Sequence, residues 1–555
     1  MRFSRARMFA LVPAAATAAL AVTALGSSSP PGPADLSPVP ANVKAPGLAA
    51  PNMLSVQLAE VRWAQGSSRL ENPQSGVVSY FGYDDDGPMV PLPSAPTLEA
   101  HKTEPDKNTY LVFKNGLTGA DPAYNYGTRF LFQGHEGGSP GYITRINLDA
   151  DGPHRVTLLA TQDSNGVPLR TIDGSTWDPF AQKLLFSSEN GLNADRSGGG
   201  RIYQASLDVP ATVDDLAPWI GRGGFEGMQN DARGNLYFIE DVGGSTGTGA
   251  NSTARRPNSY VYRYVPSNPA NLAQGGTIQA LQVIGADGNP ITWGDGQTAG
   301  QAVLTPAVKA LHTCGDTFKT KWLTIATTTA ASAAPGPDDN FLARAQGATP
   351  FKRPENGQFR PGSKFTELYF DETGDTDATS PANAGYGGWT TVQKLTQDPA
   401  SDNGTLQVLY GGDEEHASFD NAAFFDRDHV AFVEDAGDTL HTQRAKLDSA
   451  YMFDVTKNYC GGAQPARFLA QGRDASATLD SANGGFGRND QDNEITGIHV
   501  SDGDPSTGGL LGGKTPRPFN PDGHWRVFYT QQHGDNSTYE IVPSPALLHG
   551  EPDDR

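Results

Sequence analysis

Acidic side chains fall at the ends of short apolar runs throughout this chain, and their placement is that of ligands. Glu189, Glu240, Asp241, Glu434 and Asp435 close such runs, while Glu226, Glu355, Asp420, Asn421 and Glu494 stand at the start of partner segments. His135, Glu136, Ser188 and His533 occupy comparable ends and are secondary candidates. Carboxylate and carboxamide oxygens are hard donors, which select Ca2+, Mg2+, Mn2+ or Fe3+ over softer metals. Several carboxylates from different segments can bridge two or more ions, and such a centre activates water and clamps the oxygens of a displacement reaction. Arg353 lies two residues before Glu355, and its planar fork suits bidentate recognition of a phosphate. Together these residues point to phosphoryl chemistry, with Arg353 and Glu355 as catalytic candidates and Arg353 as the substrate contact. A salt bridge from Arg353 to neighbouring acids is the structural alternative.

One repeated pattern must position these groups. It is a turn, about four apolar or aromatic residues, then an acid or a metal-friendly residue. The copies are TRFLFQGHE at 128–136, QKLLFSSE at 182–189, GNLYFIED at 234–241, FTELYFDE at 365–372, DHVAFVED at 428–435 and HWRVFYTQQH at 524–533. Each reads as a strand bounded by turn residues. Upstream stand DGSTW with Asp173, FEGMQND with Glu226, RPENGQF with Glu355, FDNAAFFD with Asp420 and NEITGIHV with Glu494. Each unit is therefore a hairpin with polar residues at the start of its first strand and the end of its second. Those places are neighbours in an antiparallel ladder, so Glu226 is expected near Glu240, Glu355 near Asp371 and Asn421 near Glu434. Six such hairpins arranged radially predict an all-β fold, a six-bladed β-propeller with loop and short helical insertions. Packing the acids around one axis needs compensating cations. Acids that merely face solvent at strand ends are the plainer reading.

Composition agrees. Only 37% of the 555 residues are hydrophobic, and 65 are Gly and 41 Pro, which suits short strands and long loops. The formal net charge of −21 argues against nucleic-acid binding. Arg2, Arg5 and Arg7 precede an apolar run over 8–25, so residues 1–26 read as a cleaved signal peptide and the protein as secreted or extracytoplasmic, free of the membrane after cleavage. Residues 27–52 read as a Pro/Ala-rich linker, 53–545 as a single propeller domain and 546–555 as a polar tail. Insertions after GNLYFIED, with strands NSYVYRYVP and TIQALQVIG and a helix near 301–312, are expected on one blade. Cys314 and Cys460 could pair or stand as separate buried thiols. GGLLGGKT at 508–515 spells a phosphate loop, but Pro516 and Pro518 forbid the helix it needs, so it is set aside. GGSTG at 243–247 and GGSPG at 137–141 lack the helix of a nucleophile elbow. NLDADG at 147–152 begins like a calcium loop without its closing acid and reads as a turn.

The ordered segments resemble the secreted alkaline phosphatases of the PhoX family. GHE at 134–136 is similar to that family's Asn-His-Glu segment, GSTWDPFAQKLLFSSEN to its Gly-Thr-Trp segment running into Cys-Glu-Glu, and GGFEGM with YFIED to its Phe-His-Glu and Thr-Glu-Asp stretches. ATPFKRPE at 348–355 resembles its Asp-Arg-Pro-Glu signature, NEITG at 493–497 its Glu-Val-Thr-Gly, and QQHGD its Gln-His-Pro-Gly. The resemblance covers roughly residues 120–540. It implies a six-bladed propeller hydrolysing phosphate monoesters with iron and calcium. It also implies Glu189, Glu226 and Glu355 as metal ligands, Arg353 on the phosphate, and Glu240, Asp241, Asp420, Asn421, Glu434, Asp435 and Glu494 as further ligands, mostly for calcium. Ser188 stands where the family has its iron-binding Cys, Asn190 replaces an acid, Gly134 an Asn and Lys352 an Asp. Losing the thiolate shifts the site toward all-oxygen ions, so Ca2+ is the expected cofactor, with Fe3+ or another second metal beside it. The expected partner is a small phosphorylated substrate, and the expected state a monomer. A calcium-stabilised binding propeller without catalysis, and a propeller hydrolase of other esters, are the alternatives.

Overall fold

The computed structural model describes residues 31–44, 51–74, 77–82, 103–137, 140–192, 197–292, 299–472, 494–520, 523–532 and 536–544. The signal-peptide and tail segments and His533 lie outside the described residues.

Each acid-terminated run forms a strand, and each is the second strand of a four-stranded antiparallel meander. Blade 1 is Pro105–Val112, Arg129–His135, Ile143–Asn147 and Val156–Ala160. Blade 2 is Ser175–Asp178, Lys183–Ser187, Ile202–Ala205 and Val213–Asp215. Blade 3 is Phe225–Asn230, Leu236–Glu240, Val261–Pro266 and Gly276–Ile284, and blade 4 is Pro354–Phe359, Glu367–Glu372, Thr391–Gln397 and Asn403–Gly411. Blade 5 is Phe419–Phe424, His429–Glu434, Ser449–Asp454 and Ala466–Ala470. Blade 6 takes Glu494–Ser501, Arg526–Gln532 and Ser537–Pro543, and its outer strand is Leu58–Ala64 from the opposite end of the chain. The first strands neighbour one another in ring order, from blade 1 round to blade 6 and back to blade 1, so they encircle a common axis as in a β-propeller. Drawing that outer strand from the N-terminal side ties the two ends of the ring together in one blade.

The apolar faces fill the spaces between successive blades. Phe130 and Phe132 of blade 1 share one cluster with Leu184 and Phe186 of blade 2, and Phe238 and Tyr262 of blade 3 meet Leu185 and Ile202 of blade 2. The same arrangement recurs round the ring to Leu131 and Phe528, which join blade 1 to blade 6.

Two expectations are revised. The insertion after blade 3 does not stay on one blade: strand Thr317–Thr327 pairs with Gly276–Ile284 on one side and with Asn403–Gly411 of blade 4 on the other, fusing two blades into one sheet. Cys314, just before this strand, forms a disulfide with Cys460 of blade 5. The 27–52 linker is not wholly a tether. Leu36 is buried in the core between blades 5 and 6, and Asn42 donates to the carbonyls of Ala470 and Gln471. Backbone bonds from Val39 to Arg467 and from Lys44 to Ala445 add to these contacts and dock a Pro-rich segment whose composition alone reads as flexible. Among the described residues no helix is long and apolar enough to cross a membrane.

Candidate metal centre

The inner strands share a local irregularity that the sequence pattern does not announce. In blades 1, 3, 4 and 5 a bulge sets two residues of the first strand against one of the second, between Pro105 and Asn108, Phe225 and Met228, Pro354 and Gly357, and Phe419 and Ala422. The first extra residue is Asp106, Glu226, Glu355 or Asp420, a carboxylate every time. A bulge breaks the two-residue alternation and re-aims a side chain, and here it brings acids from four blades together.

Among the described residues seven carboxylates result, in three overlapping triads: Asp106, Glu136 and Asp173; Asp173, Glu189 and Glu226; Glu226, Glu355 and Asp420. Within each triad one oxygen per residue lies within 4.8 Å of the others. Asp173 and Glu226 are shared, so the triads form one continuous chain. Five of its members are buried, whereas Glu136 and Glu189 are partly exposed and mark the side that meets solvent.

Burial, then the neighbouring carboxylates, push Glu136, Asp173, Glu226, Glu355 and Asp420 well above the usual range. Burial likewise lifts Asp106 to about 6 and Glu189 to about 7. Like charges this close are tolerable only when protonated or neutralised by cations. The donor set, all carboxylate oxygen, fits hard ions such as calcium. The surrounding polar groups hold these acids in place. Asn421 donates to Asp420 at 2.7 Å and to Thr496 at 3.0 Å, and Thr496 donates to Asp106 at 2.5 Å. Gln532 bridges Asp106 at 2.9 Å and Glu136 at 3.0 Å.

Arg353 borders the chain. Its Nε donates to Asp241 at 2.8 Å and its terminal nitrogen lies 3.4 Å from Glu355, which also accepts from Thr373 at 2.7 Å. The arginine has left-handed backbone, φ 54, a conformation that is costly for a side-chain-bearing residue and recurs at functional sites. Asp435 lies close enough for its charge to act on Asp106, Glu189, Arg353 and Asp420.

Other sequence candidates are placed elsewhere. Glu240 does not approach Glu226: it pairs with Phe225 and accepts from Tyr260 N, Tyr262 Oη and Asn340 Nδ2. Glu434 accepts from Arg444 and the amide of Ala417. Glu372 does the equivalent in blade 4, accepting from the amide of Lys352 and from Gln393 and meeting His312 Nε2 at 3.0 Å. In each acidic pair one carboxylate turns outward and anchors a helical insertion, Asp339–Ala345 through Asn340, Gly437–Arg444 through Arg444, and Pro306–Leu311 through His312. Alternation in a strand makes this division unavoidable. His135 is buried between Thr103 and Thr144, and burial holds its imidazole well below the usual range, so it is a neutral core residue. Ser188 bonds to Asn190 at 3.3 Å, and Glu494 lies opposite Gln532, outside the triads. Asp371, expected beside Glu355, accepts from the amide of Asn356.

Sequence reasoning passed over Asp106 and Lys107 and left Asp173 uncommitted. The stretch PDKNTYLVF at 105–113 carries the same polar-then-apolar spelling as the other first strands. Aligning it with FEGMQND would have found Asp106.

The family model of the alkaline phosphatase PhoX matches residues 224–506, just over half of the chain. The chain belongs to the PhoX family. It is therefore an enzyme of the phosphatase class. Pseudomonas fluorescens PhoX in complex with vanadate, a transition-state analogue, is similar in structure, with a TM-score of 0.53 at 12% identity over 92% of this chain and 98% of that one. A streptogramin B lyase aligns over 81% of this chain and 96% of its own at 11% identity with a TM-score of 0.32, and Sqt1 from Chaetomium thermophilum over 80% and 97% at 9% with 0.31. No curated protein matches the chain in sequence. Lys352, where the PhoX signature has Asp, is buried and paired with Asp375 at 2.8 Å. The segment GGLLGGKT is no phosphate loop in this PhoX-family chain, because Lys514 is held by Asp502 and Asp504.

Proposed function

We propose that this chain is a secreted, metal-dependent phosphatase that hydrolyses phosphate monoesters at the axial carboxylate chain. The observation that carries the proposal is the set of three overlapping triads, which gather acids from five different segments of the ring into one chain. Asp106, Glu136, Asp173, Glu189, Glu226, Glu355 and Asp420 would hold the ions, Asp435 and Asp241 adding charge at the border. Bound divalent or trivalent ions supply charge neutralisation for a phosphate and a lowered pKa for water. Arg353 exchanges part of its pairing with Asp241 and Glu355 for bidentate bonds to the phosphate oxygens, so the enzyme holds the substrate's charge with a group already fixed in place. Glu355, bonded to Thr373 and beside Arg353, keeps the guanidinium oriented. Gln532, Thr496 and Asn421 fix the carboxylates in one arrangement, which limits the reorganisation that binding requires.

All-oxygen donors favour calcium. Iron would have to bind here without a thiolate, since Ser188 stands at the family's Cys position and the two cysteines are joined to each other. Export by the N-terminal segment and a monomeric state belong to the same proposal.

The test is release of p-nitrophenol from p-nitrophenyl phosphate by purified mature protein, with calcium, with calcium plus iron, and after chelation. Activity lost on chelation and restored by metal is expected. Fully metal-loaded protein with no phosphatase activity would overturn the proposal.

A further inference from the structure

Beyond the bulges, away from the carboxylates, the first strands of blades 1, 2, 3, 4 and 6 line an axial cavity of about 90 Å³. That is several times the roughly 10–15 Å³ that one water needs. Lys107, 5% exposed with its Nζ donating to Oδ1 of Asn356, forms the wall nearest the carboxylates. Gln229, Gln358 and His499 line the sides. Each uses one polar atom to accept a backbone amide of the next blade in the ring. Phe359 N donates to Gln229 Oε1 at 2.5 Å, Phe424 N to Gln358 Oε1 at 2.9 Å and Tyr110 N to His499 Nε2 at 3.3 Å. These bonds settle which atoms are left over. A carboxamide whose oxygen accepts has its NH2 group to offer, and a neutral imidazole that accepts at Nε2 carries its proton on Nδ1. Burial holds His499 down to about 3, so its ring is neutral. Among the described residues neither glutamine Nε2 nor His499 Nδ1 has a hydrogen-bond partner, although Gln358 is 6% exposed. Three blades thus direct N–H donors into one cavity. Among the described residues its walls include a single acid, Asp504, and Lys514 offsets that charge at 3.3 Å. Buried donors without partners call for an acceptor, and a compact anion satisfies several of them at once through charge-assisted bonds.

We infer that this cavity is a second site, which binds a compact inorganic anion, a halide or a tetrahedral oxyanion, on the N–H groups of Gln229, Gln358 and His499. The bound anion ties blades 3, 4 and 6 together on the far side of the bulges from the carboxylate chain. Gln229 and Gln358 each follow a bulge carboxylate by three residues, on the order of 10 Å at the strand rise, so this anion is distinct from any phosphate held by Arg353.

Crystals of calcium-loaded wild-type protein, soaked in sodium bromide or in sodium arsenate, test the inference by anomalous scattering. A peak in contact with all three N–H groups is expected, from bromide if the site takes a halide and from arsenate alone if it takes a tetrahedral oxyanion. Solvent density with no peak in either soak shows a water-filled channel and overturns the inference. A peak touching one of the three groups is an adventitious ion only and overturns it too. In solution, at constant ionic strength set with gluconate, the same anion should raise the Tm of wild type. It should leave unchanged the Tm of Gln358→Glu, which puts an oxygen where the NH2 group stood. Equal shifts in both proteins overturn the inference. None of these measurements reads phosphatase activity, so the anion site and the proposed function stand or fall separately.

Discussion

Arg353 donates from Nε to Asp241 at 2.8 Å and so joins the start of blade 4 to the end of the second strand of blade 3. The pairing holds a guanidinium, 16% exposed, at the border of a carboxylate chain. In the proposed function it is the group that receives the phosphate, kept in position by acids until then.

Replacing it should therefore cost catalysis more than stability. Arg353→Ala is expected to lower kcat/KM for p-nitrophenyl phosphate by about 100- to 1000-fold, the usual loss for one charge-stabilising donor. The calcium-dependent rise in Tm should persist. Wild-type activity in the variant would mean that the arginine serves only its salt bridges.

Glu226 joins two triads, so neutralising it should act oppositely on the two metal states. Glu226→Gln removes a buried like charge from metal-free protein and a ligand from loaded protein. With chelator the variant should melt at or above the wild-type temperature; in excess calcium it should melt below. A tenfold loss of affinity corresponds to about 1.4 kcal/mol less stabilisation by saturating ion. Identical melting in both conditions would remove Glu226 from the ligand set.

Glu240 predicts a pH dependence unrelated to metal. Burial pushes its carboxyl up to about 8 from an ordinary 4.5. Between those values the folded chain keeps a proton that the unfolded chain has released. Stability contributed at this site is thus retained below about 4.5 and declines as pH rises to about 8, by an amount on the order of 5 kcal/mol. Glu240→Gln should abolish that decline, so its Tm relative to wild type should be more favourable at pH 9 than at pH 5 in calorimetry. A difference independent of pH would show that the folded carboxyl titrates normally.

Cys314 and Cys460 close a loop of 146 residues between the fused blades and blade 5. The double substitution to Ala should destabilise by about 2–5 kcal/mol, read as a lower denaturant midpoint under non-reducing conditions. No change in midpoint would mean that the noncovalent contacts between these blades already fix their arrangement.

The repeated apolar runs determined much by themselves. GNLYFIED, DHVAFVED and their relatives carry both the strand and its bounding turns, so the second strand of every blade was legible. The acids at the starts of the partner strands marked Glu226, Glu355 and Asp420 as neighbours. Asp106 escaped because PDKNTYLVF was not aligned with the other first strands, and Lys107 because a lone lysine in a strand reads as solvated.

What only the tertiary structure decided was direction. Sequence places Glu240 and Asp241, or Glu434 and Asp435, side by side, yet consecutive strand residues face opposite ways. One of each pair turns outward to anchor a helical insertion, as Glu240 does through Asn340. The bulges at Glu226, Glu355 and Asp420 re-aim the acids of the first strands, and a bulge depends on how the two strands pair. Short-range pattern specifies strands and turns; convergence of seven carboxylates depends on ring closure, which brings residues from positions 106 to 420 within reach of one another.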